Sequence, residues 1–118
     1  RNEVADRYFN MLEDAQNLAK PMVPENVVSA WAQYSLLAQT TEARDSIQDV
    51  LKSQNIPTAI YYPKPLHLQT AFKILGYKNG DFPVSEKCAE VIFSLPMHPY
   101  LDNDSQEKIC STIKDLKF

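Results

Sequence analysis

An α/β domain, with a small mixed sheet covered by helices, is the fold class this sequence predicts, and three observations predict it. Apolar residues recur at three- and four-residue steps in several stretches, which is the spacing of a helix face. Short β-branched and aromatic runs lie between those stretches and are cut off by prolines, the pattern of brief strands. At 118 residues the chain is long enough for one hydrophobic core and too short for two ordinary domains, and helical stripes beside a few strands bury their faces as layers.

Val4, Tyr8, Met11, Leu12, Ala15 and Leu18 can line one face of an opening helix within residues 1–20. Pro21 and Pro24 remove donors and restrict the backbone, so residues 20–29 form a connector. Trp31, Tyr34, Leu36 and Leu37 predict a strand within residues 31–39. Thr40 or Thr41 caps the next helix, Glu42 and Asp45 sit near its positive end, and Asn55 ends it. Its buried face is Ala43, Ile47, Val50 and Leu51.

Pro57 leads into a second strand over residues 57–62, stopped by Pro63 and Pro65, whose exit presents Tyr62 at a cleft edge. From His67 to Leu75 the pattern is helical again, with Leu68, Ala71, Phe72 and Leu75 as its stripe and Gly76 as a left-handed stop. A helix starting near Pro83 uses Asp81 or a neighbouring backbone group and turns Val84, Cys88 and Val91 or Ile92 inward. Phe93-Ser94-Leu95 continue into a short strand before Pro96. The last helix opens at Asp102-Asn103-Asp104-Ser105, with Asn103 and Gln106 at capping-box spacing and Ile109, Ile113 and Leu116 on one side.

Apolar residues at 44%, charged residues at 23% and only two glycines describe an ordered, packed chain. A net charge of −3 without a lysine or arginine run excludes a general field for nucleic acid. A local basic group could still face a phosphorylated metabolite. Cys88 and Cys110 match neither a CxxC redox pair nor a zinc cluster and are expected as buried thiols. No apolar run approaches about 20 residues and no signal-peptide pattern is present, so no membrane span is expected and a cytoplasmic setting is. The first residue, Arg1, suggests a fragment or a processed product.

The densest chemistry lies in Tyr61-Tyr62-Pro63-Lys64-Pro65-Leu66-His67. Two phenols, an amine and an imidazole stand beside prolines that limit the loop's freedom, so polar tips can meet a ligand at a low ordering cost. The alternative is that the tyrosines pack, Lys64 is solvated and His67 bonds the following helix. His98 is expected as a packed or surface polar group, Asp102 and Asp104 as a helix start, and Trp31 and Tyr34 in the core or at a domain seam. Two histidines do not define a metal site.

The run Ile56-Pro57-Thr58-Ala59-Ile60-Tyr61-Tyr62-Pro63-Lys64-Pro65-Leu66-His67-Leu68-Gln69 resembles the C-terminal signature of the DegT/DnrJ/StrS-type sugar aminotransferases, a fold-type I pyridoxal-phosphate (PLP) family. Gly76-Tyr77-Lys78-Asn79-Gly80-Asp81-Phe82-Pro83-Val84-Ser85-Glu86 and Ser94-Leu95-Pro96-Met97-His98-Pro99 resemble its next two segments, and Ser29-Ala30-Trp31-Ala32-Gln33-Tyr34 its small-domain opening. Several separated motifs in one order are much harder to match by accident than one.

The resemblance implies the family's small C-terminal domain over residues 1–118, with 1–20 the opening helix and 31–118 the body of a three-stranded, largely antiparallel sheet with surrounding helices. The large cofactor-binding domain lies outside this sequence. In the intact protein it implies PLP, an amino group donated by glutamate, a nucleotide-linked keto sugar as acceptor, and a homodimer. The wording is closest to enzymes that aminate 3-keto sugars, acetamido-uronates among them, in polysaccharide biosynthesis.

Tyr62 matches the family tyrosine and is the first candidate for sugar-nucleotide contact. Tyr61 stands where the family has histidine; a phenol can hydrogen-bond but does not inherit a proton-transfer role. For His67 a structural role and a substrate contact both stay open, and for Gln33 a place in the cleft and a core or seam hydrogen bond. Lys64, between prolines, is a solvated or phosphate-facing charge and not the cofactor's lysine. No catalytic residue is expected in this chain and no turnover by it alone. Two rivals remain: a structural or interaction domain, and a free-standing sugar-nucleotide binding module.

Overall fold

The computed structural model of the protein describes residues 1–116. Its centre is an antiparallel sheet of three strands, β1 (Leu18–Ala19), β2 (Tyr34–Ala38) and β3 (Ile92–Leu95), in the order β1-β2-β3. Four α-helices surround it: α1 (Asn2–Met11), α2 (Thr41–Ser53), α3 (Pro83–Val91) and α4 (Asn103–Lys114). The predicted α/β class and three-stranded antiparallel sheet are therefore present, but one of the three strands is not the expected one.

The helical period of the opening segment runs on to Leu18, whereas α1 stops at Met11 and Leu18 pairs with Ala38 as the edge strand β1. Glu13, Asp14 and Asn17 lie in the turns between them, where such side chains compete with helical hydrogen bonding. Burial survives the change of backbone: Val4, Tyr8, Leu12 and Leu18 all belong to the core. Periodicity identified what is inside and misjudged how the chain gets there.

Residues 57–62 do not form a strand. Only Ala59 joins the sheet, exchanging two backbone bonds with Ser94 across the outer side of β3 (3.2 and 2.7 Å). The register explains why. Hydrogen-bonded pairs in an antiparallel ladder recur every two residues, so the next would be Pro57 opposite Pro96, neither of which has an N–H. In the other direction the partner would be Ile92, whose N–H already bonds the Cys88 carbonyl at the end of α3.

Within the sheet, Leu36 opposes Phe93 and Tyr34 opposes Leu95, and all four are buried. Ser35 and Ser94 meet through their hydroxyls at 2.8 Å. Tyr34 is sandwiched by Tyr8 (ring centroids 4.9 Å apart) and Trp31 (5.5 Å), so Tyr34 lies in the core, with Trp31 half-buried on its rim. Burial pushes the phenol of Tyr34 up to about 12, with Cys110 and Asp6 adding to it, and drives that of Tyr8 higher still. The Tyr8 hydroxyl donates to the Pro96 carbonyl at 2.9 Å.

Thr40 caps α2, its hydroxyl accepting from the Ala43 amide at 3.1 Å, and Asn55 follows in a left-handed conformation (φ 60°). Ile47 and Leu51 are buried; Ala43 and Val50 are half-buried. In α4 the cap is Asp102, which accepts from both the amide and the hydroxyl of Ser105 at 2.8 Å. Those donors hold its carboxyl below the ordinary range, the Ser105 amide first. Asn103 is thus already helical, and Gln106, instead of reaching back in a capping box, is buried between α4 and α1. It donates to the Val4 carbonyl at 2.9 Å and accepts from Arg7.

In α3, Pro83 takes the first turn as expected, but Val84 is 76% exposed and the buried side chains are Ala89 and Val91. Cys88 is half-buried; Cys110 is buried, and desolvation pushes its thiol up to about 12. The stretch expected as a helix over His67–Leu75 is two 3-10 turns, Leu66–Leu68 and Thr70–Leu75, with no buried residue in the second. Gly76 ends it left-handed (φ 78°), as the sequence predicts. No helix among the described residues is long and apolar enough to cross a membrane.

Candidate functional site

The loop after Ala59 leaves the sheet because its ladder can be extended on neither side, and it turns outward through Tyr61, Tyr62, Pro63, Lys64 and Pro65. Tyr61 is 42% and Tyr62 62% exposed, with their rings edge-to-face at 5.8 Å. Such rings expose an apolar body and a polar tip together. The loop is closed by the Leu68 amide donating to the Pro65 carbonyl (3.0 Å) and the Gln69 side chain donating to the Lys64 carbonyl (3.1 Å).

Two open hollows flank it. One, of about 220 Å³, lies along the outer edge of β3 between Gln33, Thr58, Tyr61, Pro96 and Met97. The other, of about 240 Å³, is bounded by Tyr61, Tyr62, Lys64 and Gln69 on the loop and by Ser85 and Cys88 on α3. Tyr61 is the wall between them. Three of the four residues singled out from sequence thereby line two hollows that share Tyr61, Gln33 in the first and Tyr62 in the second, where the exposed Lys64 also lies.

His67 lines neither hollow. Its ring is buried, its Nε2 lies 2.9 Å from the Glu86 carboxylate, and it packs on Phe82 at 4.8 Å. It borders an adjoining, mostly apolar depression with Phe72, Leu75, Tyr77 and Phe82, which shares Leu66 and Ser85 with the second hollow. His98 is exposed. A larger hollow, about 350 Å³, lies between the turn after α1 and the end of α4 and is lined by none of these side chains.

Sequence reading gave no role to Glu86. Its carboxylate accepts from the Gly80 amide (2.9 Å to each oxygen), from the Phe82 amide (3.2 Å) and from His67. The Gly80 donor above all, helped by His67 and Phe82, holds its carboxyl below the ordinary range against burial, the second-largest influence. A signal was present: an acid in the first turn of a helix that begins with proline is placed to reach back to preceding amides. Its histidine partner, 19 residues away, left no such mark.

The side chains of the two hollows can donate and accept hydrogen bonds through two phenols and an amide, stack an aromatic or sugar ring, and present one cation to a phosphate. A model of the DegT/DnrJ/EryC1/StrS aminotransferase family matches residues 1–114. This chain belongs to that family.

It is similar to a pleiotropic regulatory protein of Geobacillus stearothermophilus, 38% identical over 98% of this chain and 31% of the relative. Another is a UDP-2-acetamido-2-deoxy-3-oxo-D-glucuronate aminotransferase of Pseudomonas aeruginosa, 36% identical over 96% of this chain and 30% of that protein. The solved structure of a DegT DnrJ EryC1 StrS aminotransferase from Brucella abortus superposes with a TM-score of 0.83 at 43% identity, over 96% of this chain and 29% of the other. The chain thus spans about three tenths of the length of the curated relatives it matches.

PLP, the cofactor implied by the resemblance, needs a lysine amine, a carboxylate opposite the pyridine nitrogen and a phosphate cradle. The hollows do not supply that set. Lys64 is the only amine lining the two hollows, it is exposed, and no carboxylate lines either. Among the described residues no cluster of His, Cys, Asp and Glu could hold a metal ion either.

Proposed function

We propose that this chain forms the acceptor-recognition wall of a PLP-dependent aminotransferase that transfers an amino group, from glutamate, to a nucleotide-linked keto sugar. The observation that carries it is the pair of open hollows that share Tyr61, one lined by Gln33 and the other by Tyr62 and Lys64, in a chain of the DegT/DnrJ/EryC1/StrS aminotransferase family. The Pseudomonas relative, named for a UDP-linked 3-oxo sugar, supports that acceptor class. Bound in the upstream large domain, the cofactor would supply the electron sink. The present residues would hold the acceptor: Tyr62 and Tyr61 by hydroxyl and ring, Gln33 by its amide, Lys64 by charge on the nucleotide phosphates. His67 would act indirectly. The working protein would be a cytoplasmic homodimer in polysaccharide biosynthesis.

The test separates the two half-reactions in the full-length protein. Removing the Tyr62 hydroxyl by Tyr62→Phe leaves the ring and deletes one neutral hydrogen bond, worth about 1 kcal/mol, so the sugar half-reaction at subsaturating acceptor should slow about fivefold. Conversion of the cofactor by glutamate, followed by stopped-flow absorbance, should stay near wild type. Equal sugar half-reactions in the two proteins, or a selective loss of the glutamate step, would remove Tyr62 from the acceptor site.

A further inference from the structure

We infer that Glu86 is a positioning residue for the acceptor: without touching it, Glu86 holds the loop that carries Tyr61 and Tyr62. The inference rests on the assignment of that loop to the nucleotide-linked sugar. Residues 61–65 are suspended between two attachments. Upstream, Ala59 is bonded twice to Ser94 on β3. Downstream, the first side chain anchored to another element is His67, held at 2.9 Å by Glu86 on α3.

The loop has little else to fix it. Every residue from Tyr61 to Lys64 is exposed, and Pro65 and Leu66 add no buried side chain. The bonds of Leu68 and Gln69 close the loop upon itself without tying it to the sheet or a helix. His67 and Glu86 are the exception: their side chains are 7% and 15% exposed, and the same carboxylate gathers the amides of Gly80 and Phe82. One anion therefore joins three points of the chain, at His67, Gly80 and Phe82, to the first turn of α3. Losing it would leave the loop's downstream end held only by the packing of His67 on Phe82 while the Ala59 bridge held the other, so the tyrosines would swing rather than leave. Displacements of about 1 Å at such distance from the chemistry are enough to cost up to about a hundredfold in rate.

The decisive experiment compares Glu86→Ala, Glu86→Gln and Tyr62→Phe in the full-length protein. Glu86→Ala removes all three acceptor contacts and should raise the KM for the nucleotide sugar about tenfold with a smaller change in kcat, leaving the glutamate half-reaction intact. Glu86→Gln, which keeps one acceptor oxygen, should lie between it and wild type. Hydrogen exchange over residues 65–72 reports the loop directly, because the Leu68 and Gln69 amides bond the loop's own carbonyls and not Glu86; it should quicken in Glu86→Ala. Unchanged exchange overturns the inference, and so does faster exchange with an unchanged KM when Tyr62→Phe does raise KM. Faster exchange with KM unchanged in both variants sinks instead the assignment of the loop to the acceptor. Should Glu86→Ala not fold, Glu86→Gln and His67→Asn carry the same comparison, each removing part of the set, and wild-type KM and exchange in both overturn it.

Discussion

Phe93 and Phe72 are the same residue type under opposite conditions. Phe93 is fully buried in β3, opposite Leu36, inside a core shared by the sheet and the helices α1, α2 and α4. Phe72 stands 36% exposed on a 3-10 turn that has no fully buried residue, amid Leu66, Leu75, Tyr77 and Phe82, all exposed as well. The first region is held by apolar burial, which is non-directional and large. The second is held by directed polar contacts: Glu86 to three donors, Asp81 accepting from the Lys78 amide, Gln69 on Lys64. Shape and stability are therefore supplied separately, the body providing stability and the arm from 61 to 82 presenting side chains.

That division is breakable by mutation. Phe93→Ala should cost about 3–5 kcal/mol in denaturant unfolding, the range for a buried aromatic truncated to alanine, whereas Phe72→Ala should stay within about 0.5 kcal/mol. Comparable losses at the two sites would erase the distinction. Gln106→Leu tests whether the body tolerates losing a buried polar group: the Val4 carbonyl and Arg7 Nε would lose their partner, at a cost of about 2 kcal/mol. A neutral result would mean that water replaces the amide.

Within the arm, Gly80→Ala should be felt locally. Nothing lies within 4 Å of the added carbon, so the only penalty is the backbone at φ +95°, about 1 kcal/mol, read as faster exchange around residues 78–82 with little change in the body. The smallest effect is set by pH. The carboxyl of Glu86 is depressed by folding, so its contribution is complete above the ordinary carboxyl value of 4.5 and is lost as pH falls through the lower folded value. The arm should therefore loosen only below pH 4.5. Asp102, depressed in the same way, weakens the start of α4 only below its own ordinary value of 3.8. Exchange of residues 65–72 measured from pH 6 down to pH 3 would show it, and loosening at higher pH would point to another group.

Much of the body was legible from sequence because its signals are local. Thr40, Asn55, Gly76 and Pro83 mark their helix ends through their own geometry, and the apolar stripe of α4 reads straight off Ile109 and Ile113. β1 was hidden because Leu18 is in phase with a helix it does not belong to. Residues 57–62 read as a strand because their composition suits one; what prevents it is a proline 39 residues away in register with Pro57. The arm misled for a different reason. A stripe such as Leu68, Ala71, Phe72 and Leu75 says that one face is apolar, not that this domain buries it. At the candidate site, family motifs located Tyr61, Tyr62 and Gln33, while the His67–Glu86 contact depends on the fold of the segment between them.

The facing prolines at 57 and 96 also bear on aggregation. An exposed sheet margin recruits foreign strands through its free backbone donors. On the outer side of β3 the successive donor positions are Ile92, Ser94 and 96: the first is spent on α3, the second on Ala59, and the third is a proline with nothing to offer. Even the Pro96 carbonyl is engaged, by the Tyr8 hydroxyl. The margin beside the tyrosine loop can thus stay open to a small ligand while giving an incoming strand no hydrogen to accept.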